Sequence, residues 1–294
     1  MTTAEPVRME PWQRATLDMV AAQWPLIVGF CALAIPAINV MATQSWSHED
    51  GAHGPLVLFT AAWLLWRQLP EIRRNKAPGR PWVVAVVIAV SIVMYIFGQA
   101  FDFVTADAAG LYGVGVAMFY AKFGARAVLR NWFIFFYLLF AVPPPSIWID
   151  AITSPLKQFV STAATALLQP FGIPVVHQGV VIYVAQYQLL VEDACSGLNS
   201  IIGLLAISLF YIYLARGSSW RYAGFLAALA VPVAIVANIV RIVILILLTY
   251  FAGDGVAQGF LHFAAGIFIF ITALLLIFLL DALIYPIVAR RSPA

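Results

Sequence analysis

Apolar residues run along this chain in long, nearly unbroken blocks rather than in the alternating stripes of a water-soluble domain. Eight blocks stand out, at about 24–42, 54–69, 81–100, 106–122, 131–149, 195–215, 222–249 and 259–286. Crossing a bilayer takes ~20 largely apolar residues. Lipid offers the backbone no hydrogen-bond partners, so such blocks form helices. The pattern predicts an all-α polytopic membrane protein of about eight transmembrane helices. Residues 1–23 form a polar cytoplasmic segment, 24–288 a single integral-membrane domain, and 289–294 a short cytoplasmic tail. The first block outruns a signal peptide and lacks a good small-residue cleavage site, so it reads as an anchored helix.

One stretch breaks the rule. The fifth block runs into 142-VPPPS-146, where three prolines remove donors and end the helix. Residues 149-IDAITSPLKQFVSTAATALLQ-169 then read as an amphipathic helix on the membrane surface, interrupted near Pro155. Next, 173-IPVVHQGVVIYVAQYQLLVED-193 is rich in Val, Ile and Tyr and broken by Gly179, the signature of a small β-hairpin.

Composition agrees with this solvent. The chain is 63% hydrophobic and 10% charged, against ~25% charged in soluble domains. The placement of charge says more than the sum of +3. With both termini inside, 14 of the 16 Lys and Arg fall on inner segments, and only Lys157 and Arg241 do not. That is the positive-inside bias. The outer segments collect acids (Glu49, Asp50, Asp102, Asp107, Asp150, Glu192, Asp193, Asp254). All four histidines (His48, His53, His177, His262) lie on or near the outer face. The lipid bilayer is the expected surroundings, and no nucleic-acid partner is expected.

Candidate chemistry concentrates on that face. In 192-EDACSGLNSIIG-203, Cys195 stands at the outer start of the sixth span. Free N–H groups and the helix dipole there favour a thiolate. A small cysteine can also simply pack, as Cys31 is expected to do in mid-span. Arg241 lies inside 231-VPVAIVANIVRIVILILLTYF-251. A charge at such depth costs at least ~2.5 kcal/mol on insertion scales and usually faces a polar site. The plainer alternative is an ion pair with Glu192, Asp193 or Asp254. Asn238 shares its helix face three residues earlier. His262 opens the eighth span in 259-GFLHFAAG-266, where a histidine can equally be a capping group. Three chemically distinct groups thus converge on one leaflet of three consecutive helices. Cys and His supply a nucleophile and a proton carrier, and a fixed guanidinium stabilises an oxyanion.

At these residues the chain resembles the exosortase/archaeosortase family. The matching pieces are 194-ACSGLNS-200 after a strand ending in Val-Glu, 238-NIVR-241, and His262 with Gly266 shortly after. The stretch 46-WSHEDGAHGPLVLFTAAWLLWR-67 is similar to the family's first outer loop and second span. The resemblance extends over roughly residues 25–285. It implies a membrane-embedded thiol protease or transpeptidase of the bacterial inner membrane, with its site facing the extracytoplasmic side. The implied substrates are exported proteins that end in a Pro-containing motif, a membrane helix and a basic tail. The implied catalytic set is Cys195, Arg241 and His262, with Asn238, Asn199, Ser196 and Glu192 binding substrate or supporting them. Many relatives carry Arg where this chain has Asn199, which leaves the sorting motif open. No cofactor or metal is called for: there is no HExxH, and the histidine spacings match no metal motif. A transporter is the main rival for an eight-span chain, and a membrane acyltransferase is a second. Against the transporter, the unusual residues gather near one face, and few intramembrane ionisable groups exist beyond Arg241 and Asp281.

Overall fold

The computed structural model describes residues 11–47, 51–74, 77–190, 197–216, 220–253 and 260–291. The helices are α1 (Pro11–Met41), α2 (Gly54–Arg74), α3 (Pro81–Ala100), α4 (Val104–Arg130), α5 (Trp132–Leu138), α6 (Ser146–Leu168), α7 (Gly197–Arg216), α8 (Trp220–Ala252) and α9 (Phe260–Arg291). Three short strands, β1 (Val175–Gln178), β2 (Val181–Val184) and β3 (Tyr187–Leu190), lie between α6 and α7. The chain divides into two compact units, one of residues 1–43 and 71–130, the other of 44–70 and 131–294.

Among the described residues, four helical segments are long and apolar enough to cross a membrane: Trp24–Trp46, Pro81–Ala100, Val104–Arg130 and Gly224–Ala252. Shorter apolar segments cover Trp132–Ala141, Ile202–Ala215 and Ile271–Tyr285. Large apolar side chains are exposed along one side of α3, including Val86, Val90, Val93 and Phe97. In water such a surface would be a liability; against acyl chains it is the resting state. Cys31, expected to pack, lies on the exposed side of α1 as a free thiol.

In the first unit α3 and α4 form a tight pair. Gly110 stands against the backbone of Ser91 and Tyr95, and Gly98 against that of Asp107, so a Cβ at either site would force the helices apart. The pair also holds polar groups: Gln99 donates to the buried Asp107 carboxyl at 2.8 Å, and the Tyr95 hydroxyl donates to the Leu33 carbonyl on α1. Near its C-terminal end α4 is broken at Gly124, whose φ of 77° suits glycine. Any side chain there would strike the Ala77 carbonyl.

The second unit carries the candidate site. Its fifth apolar block does not form one spanning helix over 131–149. After α5 comes a 3-10 turn, Leu139–Ala141, and Val142–Pro145 is not helical. Residues 146–149 belong to α6 instead. The prolines are the cause, since each lacks the donor and fixes its neighbour in an extended conformation. Ten helical residues rise only ~15 Å, and four extended residues add ~13 Å. Together they extend over at most ~28 Å. Helix α6 runs unbroken through Pro155, contrary to the interruption expected there. Pro155 sits on the exposed face, where its ring meets nothing and one ladder bond is lost.

The segment expected as a hairpin is a three-stranded antiparallel meander, ordered β1-β2-β3. His177 pairs with Ile182, and Ile182 with Leu189. Gly179 makes the first turn with φ of 62°, as its sequence suggests. The second turn rests on Ala185, a non-glycine at φ 51°. One face of the sheet is buried. Val175, Ile182, Val184 and Leu189 pack with Val160, Ala164 and Leu168 of α6 and with Ile242 and Ile246 of α8.

Helices α7, α8 and α9 pack together through Leu204 and Ile212, Leu226, Ala230 and Ala234, and Ala273 and Ile277. Toward one end the fully buried Asp281 accepts hydrogen bonds from Tyr211 of α7 at 2.9 Å and Tyr222 of α8 at 2.6 Å. One carboxyl thus ties three helices. We expect Tyr222→Phe to lower stability by ~1–3 kcal/mol, the cost of withdrawing one partner from a buried polar group. Asp281→Ala should cost more, because it leaves two hydroxyls without that acceptor. Thermal unfolding in detergent tests this, and equal melting of all three proteins would show that the cluster does not hold the bundle.

Candidate active site

The site begins with the tied ends of α7, α8 and α9. From the three mutually bonded residues the chain can be followed toward the opposite end of each helix. Gly197 lies 14 residues from Tyr211, Arg241 lies 19 from Tyr222, and His262 lies 19 from Asp281. At 1.5 Å per residue these are rises of about 21–29 Å. Arg241 and His262 therefore stand at similar heights, close to one hydrocarbon thickness from the clasp, and Gly197 ~8 Å nearer to it.

On α8 the buried positions Ala234, Asn238, Arg241, Leu245 and Thr249 form a stripe at helical spacing. Asn238 and Arg241 are each only 5% exposed. A buried guanidinium and amide thus replace the aliphatic residues that fill this stripe elsewhere. Ile239, Ile242 and Val243, around Arg241, pack against the sheet and α6, so the surface sheet is anchored to the turn of α8 that carries the charge. The sheet's buried face also carries His177, in register with Ile182, and its Nδ1 is buried.

The remaining sequence-predicted residues are described only in part. Glu192, Cys195 and Ser196 lie outside the described residues. Asn199 is the third residue of α7 and His262 the third of α9, both on described helical backbone. The structure thus puts Asn238 and Arg241 side by side in one buried stripe and packs together the helices that carry or follow the others. Among the described residues no group of His, Cys, Asp and Glu could hold a metal ion.

Sequence reasoning missed one neighbouring feature. His53, in the turn before α2, sets its Nε2 3.0 Å from the Phe140 carbonyl. That carbonyl belongs to the last turn before the proline run, where helix acceptors lack intrahelical donors. A carbonyl only accepts, so Nε2 carries the proton. Burial pushes the His53 pKa below 6.5, and the Phe140 bond only partly offsets this. His53 was visible within the 46–67 stretch but had no role there, because its partner Phe140 lies 87 residues away.

The sequence profile of transmembrane exosortases matches residues 45–279. The chain belongs to the transmembrane exosortase family. No curated protein and no solved structure matches it. The matched range begins just before Trp46 and runs through α9 to within two residues of Asp281, so it holds nearly all of the second unit. Membership makes this exosortase a multi-pass membrane protein with a sortase-like role in protein processing, in a family of membrane peptidases and transpeptidases.

The lowered pKa of His53 has a consequence for stability. The unfolded imidazole takes up a proton near pH 6.5, before the folded one does. Its contribution is therefore full above pH 6.5 and is lost as pH falls toward the folded value. Stability of the solubilised exosortase should fall between pH 7 and 5, with a shallower slope in His53→Gln. Identical slopes in the two proteins would mean that His53 does not titrate with folding.

Proposed function

We propose that this exosortase cleaves the C-terminal sorting signals of exported proteins through a thioester on Cys195. The buried pair of Asn238 and Arg241 on α8 is the observation that supports this reading. The Cys195 thiolate attacks the scissile carbonyl and the C–S bond forms. The oxyanion that develops is held by the Arg241 guanidinium, whose fork of donors suits it better than a point charge. His262 delivers a proton to the leaving amine, the C–N bond breaks, and the thioester remains. Water or another nucleophile then attacks the thioester, giving up its proton to His262 and returning the thiolate. Asn238 orients Arg241, while Glu192, Ser196 and Asn199 line the approach.

The substrate that suits this geometry has a Pro-containing motif, a membrane helix and a basic cytoplasmic tail. Its helix sets the cleavage motif at the outer surface of the inner membrane, the level of Cys195, and its tail obeys the same positive-inside bias as the enzyme. Both termini of the enzyme are then cytoplasmic.

Cys195→Ala should abolish processing of a co-expressed substrate while the enzyme stays folded in the membrane, and Cys31→Ser should be nearly silent. Full processing by Cys195→Ala would end the thiol mechanism. Arg241→Lys keeps the charge but loses the planar fork. It should slow cleavage by ~100–1,000-fold at unchanged melting temperature. Near-normal cleavage with reduced stability would make Arg241 structural and leave a Cys195/His262 dyad.

In a Cys31→Ser, Cys195→Ser background, a cysteine placed at Gln178 should react with an impermeant reagent from outside, and one at Asn75 should not. Outside labelling at Asn75 would overturn the topology.

A further inference from the structure

The small sheet has two edges, and they differ. The two-residue turn Ala185–Gln186 makes Val184 and Tyr187 a hydrogen-bonded pair, and bonded pairs alternate with unbonded ones from there. Ile182 and Leu189 exchange bonds, whereas Tyr183 and Gln188, and Val181 and Leu190, do not. The N–H and C=O groups of Gln188 and Leu190 therefore point away from β2, along the free edge of β3. Among the described residues neither makes a further backbone hydrogen bond. The exposed Gln188 side chain donates to the Tyr183 hydroxyl at 3.1 Å, so it lies over β2 and not over the edge. The opposite edge is served from within the chain. There the Val175 N–H donates to the Ile173 carbonyl at 2.9 Å, and Gln169 Nε2 donates to the Val175 carbonyl at 3.4 Å.

The free edge belongs to the strand that leads into the proposed chemistry. Cys195 follows Leu190 by five residues, at most ~18 Å of chain. The strand is also fixed to the helix that carries Arg241. The Tyr187 hydroxyl stands 3.6 Å from the place a Cβ would take at Gly253, just past the end of α8. Leu189 packs in one cluster with Ile242 and Ile246, and Ile242 is the chain neighbour of Arg241.

We propose that the free edge of β3 binds the substrate: the stretch of sorting signal that flanks the scissile bond adds to the sheet as a fourth strand, exchanging hydrogen bonds with the backbone of Gln188 and Leu190. This rests on the peptidase reading above. An extended peptide repeats its donor and acceptor every second residue, ~6.8 Å apart, which is the spacing of the groups along this edge. A lipid headgroup or an acyl chain has no such repeat. Only alternate residues of the added strand bond to β3, so a proline, which has no N–H, is accommodated at the positions between. A Pro-containing motif meets that condition. A strand pinned here also holds its scissile carbonyl in a fixed register with the chain that leads to Cys195, as attack by a thiol requires.

The test uses the full-length enzyme in detergent and a purified reporter, a protein of the same organism that ends in a Pro-containing motif, a membrane helix and a basic tail. In a set of reporters, single backbone amides flanking the cleavage point, other than the scissile one, are replaced by esters. Each ester removes an N–H and leaves the side chain. KM should rise about three- to tenfold at alternate positions and stay near the parent value between them, with kcat little changed. Gln188→Pro removes the outward N–H without touching the β2–β3 ladder. It should raise KM for the parent reporter to a similar degree at an unchanged melting temperature. A photoreactive p-benzoylphenylalanine at Gln188 should cross-link to the reporter.

An ester scan with no sensitive position, or with no alternation, would overturn the added strand. So would cross-links only to a second copy of the enzyme, which would make the edge a contact between copies. The scan is made on the unaltered enzyme, so it decides alone if Gln188→Pro melts early. Cys195→Ala is measured alongside. If it is inactive and the scan is flat, only the added strand fails. If it still cleaves, the thiol reading itself fails.

Discussion

The carboxyl of Asp281 is the point on which the second unit turns. A helical bundle in lipid gains little from burying apolar side chains, because acyl chains are as apolar as leucine, and packing alone fixes register weakly. Two tyrosine hydroxyls on two other helices, both bonded to one carboxyl, supply what packing lacks: direction, and a definite height for each helix. The register set there is felt at the far end. One turn of slip in α8 would move Arg241 by ~5.4 Å, more than the tolerance of any constellation that must reach one carbonyl carbon. A structural cluster at one end thus sets the height of the buried Arg241 toward the other.

The same shortage of hydrogen-bond partners explains the irregular parts of the chain. Non-helical backbone at membrane depth is tolerated where protein covers it or where it lines a cavity. The stretch Val142–Pro145 meets both conditions. Its prolines have no N–H to satisfy, three of its residues wall a cavity, and His53 serves the carbonyl just before it. A proline run is therefore a cheap way to end a helix early and leave a hollow beside it. The short helix and the cavity are two results of one sequence choice.

Much of this was legible in the sequence, for identifiable reasons. Long apolar blocks report their solvent directly, so the helical membrane architecture could be read, and the prolines at 143–145 marked the end of a helix. Gly179 announced its turn because glycine is the usual residue at positive φ. The second turn escaped because Ala185 and Gln186 carry no such signal, so three strands were taken for two. Pro155 misled in the other direction: its ring faces outward, a fact set by the helix's burial pattern and invisible to residue-by-residue reading. Of the candidate site, Arg241 and Asn238 stood out because polar residues are rare within an apolar block. The cavity beside the proline run did not, since Trp46, Phe140, Val142 and Ile202 look like ordinary membrane residues until the fold joins them.

The cost of burying Arg241 connects these levels. A guanidinium held in a stripe otherwise made of Ala, Leu and Thr gives up hydration, and packing elsewhere in the protein must offset that loss. What the protein gains is field strength. The attraction between unit charges at ~4 Å rises from about 1 kcal/mol in water to ~4 kcal/mol at the effective dielectric of a protein surface. A donor that is already desolvated also needs no reorganisation as an oxyanion develops. A charge at the bilayer centre would be stronger still but out of reach of any extramembrane substrate. One in the aqueous loops would be accessible but weakened by solvent. Arg241 is buried in protein instead, beside the small sheet that packs on Ile242 and Ile246.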